Sequence, residues 1–189
     1  MLILASQSPR RAELLKQIGI PFSQYSVDID ETVQVDDKPQ EYVQRMAREK
    51  SNLGFQRAQS AQLVLGADTI VVANNNILGK PKDKTDSIRM LSMLSNNTHQ
   101  VFTAISITSP THQKNLIVET QVCFGPLSSQ QMSWYWQTGE PQDKAGSYGI
   151  QGLGGQFVKH IKGSYSAVVG LPLYQTRMLL TEFGIINER

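Results

Sequence analysis

Three groups of residues carry chemistry-bearing side chains at informative positions. In Ser6-Gln7-Ser8-Pro9-Arg10-Arg11, two hydroxyls stand before a proline and two adjacent guanidinium groups. Ser8 suits a helix N-cap and Pro9 the first helical position, so the segment reads as a loop feeding a helix start. Unpaired amides and the helix dipole there attract an anion, and arginine offers phosphate a planar fork of donors. A capped helix with solvated arginines would use the same residues. The second group centres on Asp68, an acid inside the apolar run Leu63 to Val72. An ionised carboxylate in such a strand must be paired, metal-bound or open to a cleft, unless it caps a strand-end turn through the amides of Gly66 or Thr69. The third sets Lys50, Lys80 and Lys82 against Asp28, Asp30 and Glu31. Such bases hold phosphates and such acids hold a hard divalent ion, although each residue taken singly also fits a solvated surface charge.

Other patterns exclude chemistries. No Gly-x-x-x-x-Gly-Lys-Ser/Thr loop occurs, and Gly149-Ile150-Gln151-Gly152-Leu153-Gly154-Gly155 departs from the dinucleotide fingerprint in spacing and context. The single cysteine, Cys123, forms no internal disulfide framework and no multi-cysteine zinc site, and reads as a packing residue. His99, His112 and His160 lack ligand spacing, and Trp134, Tyr135 and Trp136 read as core or interface anchors. Eighteen basic against sixteen acidic side chains in 189 residues leave a net charge of +2, too little for bulk nucleic-acid binding but compatible with a local anion site. No stretch approaches the ~20 apolar residues of a membrane span, and the apolar Met1 to Ala5 is too short for a signal-peptide core. A cytoplasmic protein with no membrane partner is expected.

The elements that must position these residues follow from periodicity. Leu2 to Ala5 predicts a strand, and Leu14, Leu15 and Ile18 predict a helix stopped by Gly19. A strand near Phe22 to Val27 precedes a long amphipathic helix from Pro39 to about Ala58, with Tyr42, Val43, Met46, Ala47 and Lys50 on one face. Leu63 to Val72 predicts a buried central strand, locally deformed at Gly66. The triplet Asn74 to Asn76 predicts a turn, Ile77-Leu78 a brief return strand, and a helix then runs through Leu94. Thr98 to Thr108 and Leu116 to Phe124 alternate as strands, and Ser128 to Gln131 matches a capping box. Gly139 to Gly155 forms an ordered functional loop or a flexible cover; Gln156 to Ile161 is a strand, and Leu173 to Phe183 a closing helix. Alternating strands and helices give an α/β class with a mixed sheet, in one domain over residues 1–189.

The ordered motifs resemble the Maf nucleotide pyrophosphatases, also called septum formation proteins. The resemblance rests on Leu4-Ala5-Ser6-Gln7-Ser8-Pro9-Arg10-Arg11, Arg48-Glu49-Lys50, Gly66-Ala67-Asp68-Thr69, Lys80-Pro81 and His99-Gln100-Val101. It continues through Gly139-Glu140-Pro141, Asp143-Lys144-Ala145-Gly146, Tyr148-Gly149-Ile150-Gln151-Gly152 and Gly163-Ser164-Tyr165. It implies an elongated mixed sheet with flanking helices, in two lobes around a central cleft, like the inosine triphosphate pyrophosphatases. It also implies hydrolysis of nucleoside triphosphates to the monophosphate and pyrophosphate with Mg²⁺ or Mn²⁺, and leaves a homodimer open. Asp68 matches the family's proton acceptor, and Glu31 joins it as a metal residue. Ser8, Arg10, Arg11, Lys50 and Lys80 match substrate-binding residues, and Arg10, Thr69 and Gln151 match positions tied to base choice. The Gly-Ala-Asp-Thr and Gly-Ile-Gln-Gly forms are similar to the dTTP and UTP branch. Gln7 departs from the small residue that relatives often carry. The family name also keeps open a nucleotide-binding regulator of septum formation that acts through a protein partner.

The Gln151 carboxamide offers a donor and an acceptor, which match the adjacent carbonyl and N–H on the edge of thymine or uracil. The other use of the residue would be to brace the Gly149 to Gly155 loop.

Overall fold

The computed structural model describes residues 1–34, 37–58 and 63–186. Strand β1 (Leu2–Ala5) is wholly buried and pairs in parallel with β2 (Phe22–Tyr25). A parallel neighbour needs a crossover, and α1 (Pro9–Lys16) supplies it. The Ser8 hydroxyl accepts from the Arg11 amide, Pro9 occupies the first turn, and Gly19 follows with φ +78°. These are the start and stop that the sequence encodes. Helix α2 (Pro39–Arg57) leads to β3 (Leu63–Ala73), which pairs in parallel with β1, Ala5 opposite Gly66.

After β3 come the short β4 (Asn76–Leu78), α3 (Lys84–Leu94), β5 (Thr98–Thr108) and β6 (Gln113–Phe124). Helices α4 (Ser129–Gln137), α5 (Tyr165–Val169) and α6 (Leu173–Glu182), with β7 (Val158–Lys162), complete the chain. The strands form a seven-stranded mixed sheet in the order β2-β1-β3-β5-β6-β7, with β4 antiparallel beside β3. The α/β class with a mixed sheet and flanking helices is therefore the observed one.

The chain divides into two compact units. The first comprises Met1–Asp68, Thr103–Val118 and Gly170–Arg189. Here α2 lies directly on the strands because two glycines remove the side chains that would intervene. A Cβ on Gly54 would stand 2.8 Å from both Ala5 Cβ and Val64 Cγ1. A Cβ on Gly66 would stand 2.4 Å from the Ala47 carbonyl oxygen and 2.5 Å from the Ser51 amide nitrogen. Buried hydroxyls tie the helix down beside that contact: Ser51 Oγ meets Ser106 Oγ at 2.8 Å, and Thr108 Oγ1 donates to Ser51 Oγ at 2.9 Å.

The second unit comprises Thr69–Phe102 and Glu119–Val169. Its core gathers Leu91, Leu94, Val122, Phe124 and Tyr135. Asn74 and Asn75 both take positive φ, 49° and 60°, in the tight turn between β3 and β4. The Ser128 capping box opens α4. Of the aromatic trio there, Tyr135 is the core residue, whereas Trp134 is exposed.

Several boundaries differ from the sequence reading for identifiable reasons. β3 runs unbroken through Gly66, because the glycine clears space for α2 and makes no bulge. β6 begins at Gln113 and not at Leu116: Ser109 and His112 close a tight turn, and the Gln113 amide donates to Asn52 Oδ1 at 2.7 Å. The stretch from Gly139 is ordered as short 3₁₀ turns, the last of which (Leu153–Phe157) delays β7 to Val158.

Candidate active site

Side chains alternate along β3, so Asp68 leaves the strand on the same face as Gly66. That face carries α2, and the contact at Gly66 falls between Ala47 and Ser51, the turn that bears Lys50. Asp68 and Lys50 therefore meet: Lys50 Nζ donates to Asp68 Oδ1 at 2.7 Å, with both residues buried. The acid in the apolar strand caps no turn, and its partner is the lysine on the apolar face of the helix. Lys50 Nζ also pairs with Glu31 Oε1 at 2.7 Å, so one ammonium gathers two carboxylates.

Glu31 is held from behind, its carbonyl oxygen accepting the Tyr42 hydroxyl at 2.8 Å. Burial, together with the negative charges of Asp68 and Glu31, pushes the Tyr42 phenol up to about 12, so it remains a donor. Of the neighbouring acids, Asp30 turns to Thr32, accepting from its amide at 2.9 Å and its hydroxyl at 2.5 Å. Asp28 is exposed.

Arg11 completes this cluster. Its Nε donates to the Gly170 carbonyl at 2.9 Å and its Nη1 to Ser6 Oγ at 3.3 Å, so the guanidinium is fixed by groups far apart in the chain. Burial lowers its pKa, Asp68 and Glu31 raise it, and the adjacent Arg10 lowers it. An arginine stays charged through such shifts. Ser6 Oγ also accepts the Ser8 amide at 3.2 Å, and Ser8 Oγ accepts the Arg11 amide at 3.4 Å. The helix start thus brings the Arg11 charge to bear on the two carboxylates that hold Lys50. Positive and negative groups within a few ångströms suit a polyanion that is bound and then attacked.

Residues 1–183 match the family model described as Maf-like protein. The chain belongs to the Maf-like family. Among similar Maf-like proteins, the dTTP/UTP pyrophosphatase of Pseudoalteromonas atlantica is 56% identical over 191 residues, covering 100% of both chains. That of Vibrio parahaemolyticus is 52% identical over 182 residues, covering 96% of each. A HAM1 protein structure from Coxiella burnetii aligns with a TM-score of 0.51 at 17% identity, over 96% of this chain and 98% of that one, which speaks for a shared fold.

Of the residues expected in the Maf-like site, Ser8, Arg10, Arg11, Glu31, Lys50 and Asp68 belong to the first unit, where Lys50 joins Glu31 and Asp68, Ser8 caps the Arg11 amide, and the Arg11 charge acts on both carboxylates. Thr69, next on β3, faces the opposite way from Asp68. Thr69, Lys80 and Gln151 belong to the second unit, where Lys80 and Gln151 are exposed. Gln7, the departure from the family pattern, hydrogen-bonds Ser26 Oγ. Sequence reasoning passed over Ser6 as an Arg11 partner and Tyr42 as the support of Glu31. Tyr42 carried one signal, a polar tip on the buried face of α2.

The donor set also fits the divalent ion that the family implies. Glu31 and Asp68 place two hard oxygens on one ammonium, and Mg²⁺ sites typically use one or two carboxylates together with substrate phosphates. Among the described residues, no group of three or more His, Cys, Asp and Glu side chains offers a complete protein cage. Such a site takes its remaining ligands from substrate and water.

Proposed function

We propose that this protein hydrolyses nucleoside triphosphates, dTTP and UTP foremost, to the monophosphate and pyrophosphate. The observation that carries the reading is the buried Lys50 held at 2.7 Å by both Asp68 and Glu31. It puts a base and a cation where a triphosphate would meet Arg11. The relatives named dTTP/UTP pyrophosphatase, similar over the whole chain, support the substrate class.

In this reading Arg10, Arg11 and Lys80 bind phosphate oxygens, and Ser8 shapes the helix start. Asp68 takes a proton from the attacking water while its Oδ1 remains on Lys50. The water oxygen bonds to the α-phosphorus, the bond to the α,β-bridging oxygen breaks, and pyrophosphate leaves with the electron pair. Glu31 and Asp68 would hold a divalent ion, which would supply charge neutralisation on the phosphates. Arg10, Thr69 and Gln151 contribute to base choice. The deciding experiment is a nucleotide panel with products separated by chromatography, run with and without Mg²⁺. Equal amounts of UMP and pyrophosphate from UTP are expected. Orthophosphate as first product, or tight binding without turnover, overturns the reading.

A further inference from the structure

The Gly149 to Gly155 loop carries Gln151, yet Gln151 does not hold it. Its side chain is exposed and makes no hydrogen bond among the described residues. The loop is instead wrapped around one carboxylate. Glu140 Oε2 accepts the Leu153 amide at 2.7 Å, and Oε1 accepts the Gly154 amide at 3.0 Å and the Tyr135 hydroxyl at 2.7 Å. The Tyr135 hydroxyl in turn accepts the Gly149 amide at 3.1 Å. Both ends of the segment are therefore tied to the same Tyr135–Glu140 pair, with Gln151 between them.

The fit leaves no room for side chains. A Cβ on Gly152 would lie 2.3 Å from Glu140 Oε2, and one on Gly154 would lie 2.5 Å from the Tyr135 hydroxyl oxygen. Tyr135 is itself fully buried, and the Lys144 ammonium donates to the Glu140 carbonyl at 2.8 Å. The charge state suits the task. Burial pushes the Glu140 carboxyl up, but the Gly154, Tyr135 and Leu153 donors and the nearby Lys144 charge outweigh it, and the net shift is downward. An ionised carboxylate accepts from all three donors. An amide in its place would turn an NH₂ group against one of them.

We propose that Glu140 is the positioning residue for base choice: its carboxylate fixes the loop so that Gln151 is presented to the base in one conformation. The inference rests on the proposed role of Gln151 and assigns the loop-bracing role to a different residue. The test is a cycle of four proteins, wild type, Glu140→Gln, Gln151→Ala and the double variant, each assayed for kcat/KM with UTP and GTP. Glu140→Gln is expected to reduce the UTP-over-GTP preference at least ~5-fold in the wild-type background, and by less than ~2-fold once Gln151 is gone. Tyr135→Phe keeps the core ring, removes the hydroxyl link, and carries the same test if Glu140→Gln fails to fold. An equal loss for both nucleotides, or an equal loss of preference in both backgrounds, overturns the inference. A wild type that does not prefer UTP overturns the base-choice reading itself, and with it this inference, whatever the variants do.

Discussion

Asp68 and Lys50 each stand among apolar neighbours, and each is tolerable there because of the other. This makes Asp68 testable without losing the fold. Asp68→Asn is nearly isosteric and leaves Lys50 paired with Glu31, so the melting temperature should stay close to wild type while turnover falls at least ~10²-fold. Near-normal turnover in the folded variant would make Asp68 structural. A second residue gives a pH signature unrelated to catalysis. His99 is buried, meets the Tyr148 hydroxyl at 2.8 Å through Nε2, and has no partner for Nδ1 among the described residues. Burial pulls its pKa down to about 4 from 6.5. The unfolded chain therefore takes up the proton first as pH falls. Stability should be full above pH 6.5 and decline toward pH 4, a loss on the order of 3 kcal/mol. Urea unfolding across that window measures it, and His99→Gln, which keeps a hydrogen-bonding side chain and cannot titrate, should flatten this part of the profile.

At the level of elements, Gly66 sets how closely α2 approaches β3 and hence where Lys50 stands. The atoms a Cβ would strike there are backbone atoms of the helix, which cannot swing aside. Gly66→Ala should cost at least ~2 kcal/mol by denaturant unfolding and lower turnover by ~10- to 100-fold, since a displaced helix misplaces Lys50 against Asp68. Wild-type activity in that variant would show that the spacing is not critical. The same position marks where the sequence stopped being legible. The N-cap at Ser8, the helix from Pro39 and the capping box at Ser128 are local signals, and the structure follows them. Gly66 read locally as a strand deformation, because a close helix approach is a relation between segments that neither one encodes alone. Helix α5 spans only Tyr165–Val169, too short to show a period. At the site, a lysine on an apolar helix face and an acid in an apolar strand each announced a missing partner. Glu31 stood among three acids and was singled out by the family resemblance, whereas its pairing with Lys50, and Gly170 as the anchor of Arg11, depend on contacts between distant segments.

For the molecule as a whole, the Lys50 ammonium is already in place between the two carboxylates and the Arg11 guanidinium acts on both, so two cations of the chain balance two anions. Folding should not wait for a metal. Chelation with EDTA is expected to abolish pyrophosphate release while leaving the melting temperature within about a degree, unlike a domain whose structural zinc supplies its folding energy. A large drop in melting temperature on chelation would mean that the ion holds the fold. The loop around Glu140 has a consequence of another kind. Lys80 aside, the groups proposed for hydrolysis lie between Ser6 and Asp68, whereas the grip on Gln151 lies between Tyr135 and Gly154. A copying error in the later stretch could redirect the protein to a different nucleotide and keep its reaction. An error at Asp68 or Lys50 in the earlier one would silence it toward every nucleotide. Heredity can thus vary what is discarded without reinventing how.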